Sequence, residues 1–126
     1  MREALESRPV RAELVVPVPL APKRLRARGF NQAALLAEYI APALRADLAD
    51  VLRREDRAAQ VGLSAQQRLA NLNGAFACHD PARIERKDVV LVDDVVTTGA
   101  TVSACADTLA RAGAGRVRVL AFARDL

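Results

Sequence analysis

Thirteen consecutive residues, Val89-Val90-Leu91-Val92-Asp93-Asp94-Val95-Val96-Thr97-Thr98-Gly99-Ala100-Thr101, constrain this chain more than any other stretch. Four apolar residues in a row mark a short strand buried on both faces, as in a parallel sheet covered by helices. Two adjacent carboxylates end the run, and open α/β sheets bind ligands at the carboxyl ends of their strands. The Thr-Thr-Gly-Ala-Thr turn leads into a helix over 101–112. That helix presents Val102, Cys105, Ala106 and Leu109 to the sheet and stops at Gly113. Gly99 allows backbone conformations and a close approach that a Cβ would hinder. Free amides at the helix start, with the hydroxyls of Thr97, Thr98 and Thr101, make a cradle for a phosphate. Two carboxylates beside such a cradle suit a sugar phosphate, because they accept hydrogen bonds from vicinal hydroxyls and can hold Mg²⁺, directly or through water.

The plainer alternative is an acidic strand end before an ordinary capped helix. Receiver-type domains and Walker-B-like sites also place acids after apolar strands. However, no GxxxxGK[ST] stands upstream, and receiver domains carry their acidic pair after the first strand. The thirteen residues taken together favour the phosphate site.

The rest of the chain reads as alternating strands and helices. Glu13–Val18 (ELVVPV) is a β-branched apolar run, stopped by Pro17 and Pro19 because proline cannot donate to a sheet ladder. A basic loop over 21–29 follows, then a helix from about Gln32 with Asn31 as its N-cap. Leu35, Leu36, Tyr39, Ile40, Ala43 and Leu44 recur on one face of it. Phe30 and Leu35 have the spacing of a hydrophobic staple, and Pro42 is expected to kink or divide the helix. A short strand at Asp50–Leu52 precedes a polar stretch, Arg53–Gln67, expected to be a mobile loop, and then a helical turn near Ser64–Ala70. Strands are expected at Gly74–Cys78 and Arg116–Phe122. Alternation of this kind predicts one domain with a parallel α/β sheet, and 126 residues are too few for two.

Charge is distributed unevenly. Residues 1–30 carry seven Lys/Arg against three Asp/Glu, whereas residues 31–126 carry twelve of each, so the net +4 arises in the first thirty. Its centre is Lys23, Arg24, Arg26 and Arg28, a cluster that attracts phosphates on a small ligand or on nucleic acid, or else a solvated loop. Cys78 and Cys105 have no CxxC neighbours and read as small buried hydrophobes rather than zinc ligands. His79, the only histidine, reads as a surface residue, so no Ser/His or Cys/His hydrolase can be assembled. No apolar run approaches the ~20 residues that span a bilayer, and no signal-peptide pattern is present. A cytoplasmic protein without membrane insertion is the expectation.

The thirteen-residue run resembles the phosphoribosyl pyrophosphate motif of type I phosphoribosyltransferases. Val16-Pro17-Val18-Pro19-Leu20, Arg24, Arg28-Gly29-Phe30-Asn31-Gln32, Gln60, Arg68, Asn71 and Gly74-Ala75-Phe76 narrow the resemblance to the ComF family of competence-associated proteins. It covers residues 13–122. It implies a central, mostly parallel sheet flanked by helices, with a small hood. It also implies that Asp93 and Asp94 reach ribose hydroxyls and Mg²⁺, that Thr97, Thr98, Gly99, Ala100 and Thr101 bind the 5-phosphate, and that Arg24 and Arg28 bind pyrophosphate. A flexible loop with Arg53, Arg54, Arg57 and Arg68 would close over the site. Purine-salvage relatives carry an acid at the position of Thr97, so purine salvage is disfavoured. ComF relatives often have an amino-terminal zinc segment with paired cysteines, and its absence implies a truncated, shortened or split form of that architecture. Two functions follow: a Mg²⁺-dependent phosphoribosyltransferase with a nitrogenous acceptor, or a non-catalytic module that binds nucleotide or single-stranded DNA, or competence-machinery proteins, during DNA uptake. The 3% aromatic content argues against base stacking on single strands. Pairing into a homodimer is common among relatives of the fold.

Overall fold

Residues 12–54, 75–96 and 98–124 are described by the computed structural model. The strand expected at Glu13–Val18 is β1, Leu14–Pro17. Proline is tolerated inside it for a geometric reason. Val15 faces β2 (Asp47–Leu48), because its carbonyl accepts from Ala49 at 2.8 Å. Pro17 faces the same side two residues on, where β2 has already ended, so no ladder bond is lost.

The basic segment is a helix rather than a loop. In α1, Pro22–Arg28, proline stands at the first turn, where its missing N–H costs nothing. Gly29 ends the helix at φ 79°, with its N–H donating to the Leu25 carbonyl at 2.7 Å. Charge suggested a solvated loop, but Leu, Arg and Ala are all good helix formers.

In α2, Gln32–Ala43, the expected cap is present, and the buried face overlaps the expected one only in part. Ile40 is buried and Leu36 and Leu44 are partly buried, but Leu35, Tyr39 and Ala43 are exposed. Ala37, Ile40 and Ala41 pack against the sheet and Ala33 is buried, whereas Leu35 and Tyr39 are 50% and 77% exposed. Small alanines let the helix axis approach the strands, which leaves Leu35 and Tyr39 facing outward. Phe30 and Leu35 both remain about half exposed, so their spacing produces no buried staple. Pro42 falls in the last turn and does not divide the helix.

The single strand expected at Asp50–Leu52 is replaced by β2 and by β3, Leu52–Arg54, which pairs antiparallel with β4, Phe76–Cys78. Arg53 and Arg54 therefore belong to a strand rather than a mobile loop. The remainder of that expected loop, the turn near Ser64–Ala70, and Arg57 and Arg68 lie outside the described residues. A short helix α3, Pro81–Ile84, precedes β5, Val89–Val96. Helix α4, Ala100–Arg111, leads to β6, Val117–Arg124.

The main sheet runs β2-β1-β5-β6 with every pairing parallel. Alternate residues serve opposite faces. Leu14, Val16, Val89 and Leu91 join α4 through Val102, Cys105 and Leu109, while Val15, Val90 and Val92 join α2 through Ala37 and Ile40. With both faces covered, β5 is a continuous apolar run, and each fully buried Val, Leu or Ile contributes about 1.5–3 kcal/mol. The chain leaves β1 toward β2 on one side, and β5 lies on the other. The strand order thus reverses between β1 and β5, which is where a sheet of this type opens a crevice. Among the described residues no helix is long and apolar enough to cross a membrane.

Candidate functional site

Two strands of unequal length create the cleft. β5 stays in register with β6 as far as Val96↔Arg124, but with β1 only as far as Pro17↔Val92. The last tie to β1 is the Val18 N–H donating to the Val92 carbonyl at 2.8 Å. Asp93 and Asp94 come immediately after it, at the point where the neighbouring chain turns away toward α1. A cavity of about 410 Å³ occupies the divergence.

Its walls come from five places. Val18, Pro19 and Leu20 form the departing end of β1, and Arg24 and Arg28 reach in from α1. Arg54 enters from β3. Asp93 and Asp94 lie along β5, and Thr98, Gly99 and Thr101 form the turn into α4. Arg24 and Arg28 are one helical turn apart, a spacing at which like charges repel unless an anion lies between them. No acidic side chain occupies the first turn of α4, so its positive dipole end is not offset from within the helix. Gly99 takes φ 83° with nothing within 4 Å of a Cβ built there, so it is needed for its left-handed backbone and not for a close approach. The Thr98 hydroxyl accepts from the Ala100 N–H at 3.2 Å.

Asp93 is electrostatically strained. The Asp93 carboxyl is pushed up to about 6, first by burial, then by a side-chain hydrogen bond with Asp94 and by the Asp94 charge. The Asp94 N–H, donating to Asp93 Oδ1 at 2.9 Å, works in the opposite direction. Behind Asp93, the Cys105 thiol is pushed up to about 12 by burial and by the Asp93 charge, with Arg54 opposing. Cys105 is thus a neutral core side chain, as its sequence setting suggested, while Cys78 is half-buried and both thiols are free. His79 is exposed.

Most of the residues singled out from sequence converge here. Arg53 does not: it is exposed, and it pairs with Asp50 at 3.0 Å while donating to the Asp50 and Leu52 carbonyls. Arg54 is half-buried, its guanidinium 5.3 Å from the centre of the Phe76 ring. Ala100 contributes backbone at the start of α4 without lining the cavity, and Thr97 lies outside the described residues. Sequence reading missed the apolar part of the wall, Leu20, Val95 and Val96; the two apolar residues directly after the acids were the available signal. Among the described residues no third acid joins the pair to complete a metal cluster.

Comparison with known proteins agrees with this architecture. The family model described as phosphoribosyl transferase domain matches residues 31–126. The "DNA utilization protein YhgH" of Escherichia coli is 41% identical over 114 residues, covering 89% of this chain and 49% of that protein. "Competence protein F" of Haemophilus influenzae is 36% identical over 115 residues, covering 89% and 50%. The chain thus spans about half the length of these curated relatives. The solved adenine phosphoribosyltransferase of Saccharomyces cerevisiae superposes with a TM-score of 0.61 at 16% identity, over 98% of this chain and 63% of that one, a likeness of fold. With three quarters of its length matched by the family model and its curated relatives named for competence and DNA utilization, the chain belongs to the phosphoribosyl transferase domain family, in its ComF-type branch.

Proposed function

We propose that the cleft binds phosphoribosyl pyrophosphate together with Mg²⁺, and that the chain transfers its phosphoribosyl group to a nitrogenous acceptor. One observation carries the reading: Asp93 and Asp94 line a single cavity between a helix amino terminus and the Arg24–Arg28 pair. Asp93 and Asp94 accept hydrogen bonds from the ribose hydroxyls. The Thr97–Thr101 turn receives the 5-phosphate on its amides and hydroxyls. Arg24 and Arg28 receive the pyrophosphate, and Arg54 adds a third cation to the wall. Arg57 and Arg68 belong to the segment proposed to close over the ligand and exclude water.

Two carboxylates suit Mg²⁺, a hard ion that takes its remaining oxygens from water and phosphate, and when bound it neutralises charge on the leaving group. In the transfer, the bond from C1 to the pyrophosphate oxygen breaks with its electron pair on the oxygen. The nitrogen lone pair of the acceptor forms the new bond, and its proton passes to solvent. Arg24 and Arg28 face the oxygens on which negative charge develops, so their contribution is largest in the transition state. No side chain of the protein has to act as a nucleophile.

Titration calorimetry with phosphoribosyl pyrophosphate and Mg²⁺ tests the site. Binding that falls at least about thirty-fold when Asp93→Asn and Asp94→Asn are combined supports it, on the scale of charge-assisted hydrogen bonds. Equal affinity in wild type and variant defeats it. Release of pyrophosphate across a panel of nitrogenous bases and amines then tests turnover.

The names of the curated relatives favour a second reading, in which the same cleft binds nucleotide or single-stranded DNA without turnover, alone or with proteins of DNA uptake. Intact binding of phosphoribosyl pyrophosphate with no pyrophosphate released supports that reading. So does a DNA affinity that falls steeply with salt and loses part of that slope in Arg24→Ala with Arg28→Ala.

A further inference from the structure

Between Val18 and the start of α2 the chain makes an excursion, residues 19–30, that carries α1 and its two cleft arginines. Helix α1 has no buried residue, and a seven-residue helix has little stability of its own. The two ends of the excursion therefore help to set its place over the cleft, and both ends meet at Asn31. The Asn31 Oδ1 accepts from the Ala33 N–H at 2.9 Å and the Ala34 N–H at 3.3 Å, capping α2. Its Nδ2 donates to the Val18 carbonyl at 3.1 Å. Only this orientation of the amide gives the two N–H groups an acceptor and the carbonyl a donor. Val18, itself buried, is held from the other side by its N–H bond to Val92, the residue preceding Asp93. One side chain thus ties together the start of α2, the end of β1 and the acidic strand.

We propose that Asn31 is a positioning residue. It closes the base of the excursion and so holds Arg24 and Arg28 over the cleft, where the pyrophosphate of the ligand binds. This rests on the reading of the cleft as a phosphoribosyl pyrophosphate site, and it separates two parts of that ligand. Pyrophosphate, held from α1, depends on the clamp. Ribose 5-phosphate, held from Asp93 through Thr101, does not.

Asn31→Asp and Asn31→Ser both keep a side-chain oxygen that caps α2. The carboxylate cannot donate to the Val18 carbonyl, and the serine hydroxyl is too short to reach it while capping. The measurements are the thermal midpoint, calorimetric affinity for pyrophosphate with Mg²⁺, and calorimetric affinity for ribose 5-phosphate. The expected result is a midpoint lowered by only a few degrees and pyrophosphate bound about ten-fold more weakly by both variants, each on the scale of one lost hydrogen bond. Ribose 5-phosphate affinity stays within about two-fold. Equal losses for both ligands, no loss for either, or a loss confined to the aspartate variant, where added charge alone explains it, would each overturn the proposal. Amide exchange at Leu25 and Gly29 reads the clamp without any ligand: faster exchange in Asn31→Ser is expected, and unchanged exchange refutes it. If wild type binds neither ligand while exchange accelerates as expected, the ligand reading fails and the clamp stands.

Discussion

The backbone N–H of Asp94 donates to Oδ1 of Asp93 at 2.9 Å, and yet the Asp93 carboxyl remains pushed up to about 6. A hydrogen bond to a carboxylate lowers its proton affinity, so burial and the neighbouring acid outweigh that bond. Above about pH 6 the Asp93 carboxylate is therefore charged at a cost to the unliganded protein. Such a cost is expected where a site is shaped for a cation or for hydroxyl donors that arrive with the ligand.

The stability of the unliganded protein should carry this cost with a definite sign. Asp93 has a folded value of about 6 against an ordinary 3.8, so the folded state holds the proton longer than the unfolded state. From about pH 4 to about pH 6 the contribution of Asp93 to stability therefore falls as pH rises, and above that window it stays low. Asp93→Asn keeps the oxygen that accepts from Asp94 and removes the charge. At pH 7 the variant should be more stable by about 1 kcal/mol, less than the roughly 3 kcal/mol of an unscreened shift because the group is partly solvated. Near pH 4 the advantage should vanish. Urea unfolding at the two pH values measures both, and a variant less stable than wild type at pH 7 contradicts the assignment.

Gly115 is fixed by space. A Cβ built there meets Asp88 Oδ1 at 3.0 Å, the Lys87 carbonyl oxygen at 3.1 Å and the Arg86 carbonyl oxygen at 3.3 Å. None can retreat easily, because Asp88 Oδ1 accepts from the Arg116 N–H at 3.0 Å and the Lys87 carbonyl accepts from Gly115 itself at 2.8 Å. Gly115→Ala should cost about 1–3 kcal/mol by overpacking, while Gly29→Ala and Gly99→Ala meet open space and are strained only by positive φ. Thermal unfolding of the Gly115 variant gives the value.

The two thiols should differ in the native state. Cys105 is fully buried with its thiol pushed up to about 12, and Cys78 is only half-buried. An aromatic disulfide reagent at pH 8 should therefore titrate one thiol in native protein and both in denaturant. Two fast thiols in the native protein would show that the α4 face opens.

The features legible in the sequence are those fixed by local pattern. The run Val89–Val92 had to be buried on both faces, and two acids at its end had to meet whatever lies beyond the strand. The cap at Asn31 was equally local. The buried face of α2 was legible only in part: Ile40, Leu36 and Leu44 pack as their spacing suggested, but hydrophobicity also points to Leu35 and Tyr39, where close approach to the sheet selects Ala37 and Ala41. Burial of Asp93 was hidden for the same reason. It depends on elements distant in sequence, and nothing near Asp93 announces them.

Arg53 and Arg54 sharpen that point into a test. In the sequence they are equivalent neighbours, but a strand sends successive side chains to opposite sides. Arg53 is thereby placed in solvent against Asp50, and Arg54 at the cleft over Phe76. Arg53→Ala should leave the affinity for phosphoribosyl pyrophosphate with Mg²⁺ within about two-fold, since an exposed ion pair contributes about 0–1 kcal/mol to stability and nothing to the cleft. Arg54→Ala should weaken it about ten-fold through a lost charge-assisted contact, and should lower stability by about 0.5–1 kcal/mol through the lost ring contact. Arg54→Lys keeps the charge but not the planar face, so it should recover part of the affinity and little of the stability. Calorimetry and urea unfolding on the three variants decide it, and equal behaviour of Arg53→Ala and Arg54→Ala would remove Arg54 from the site.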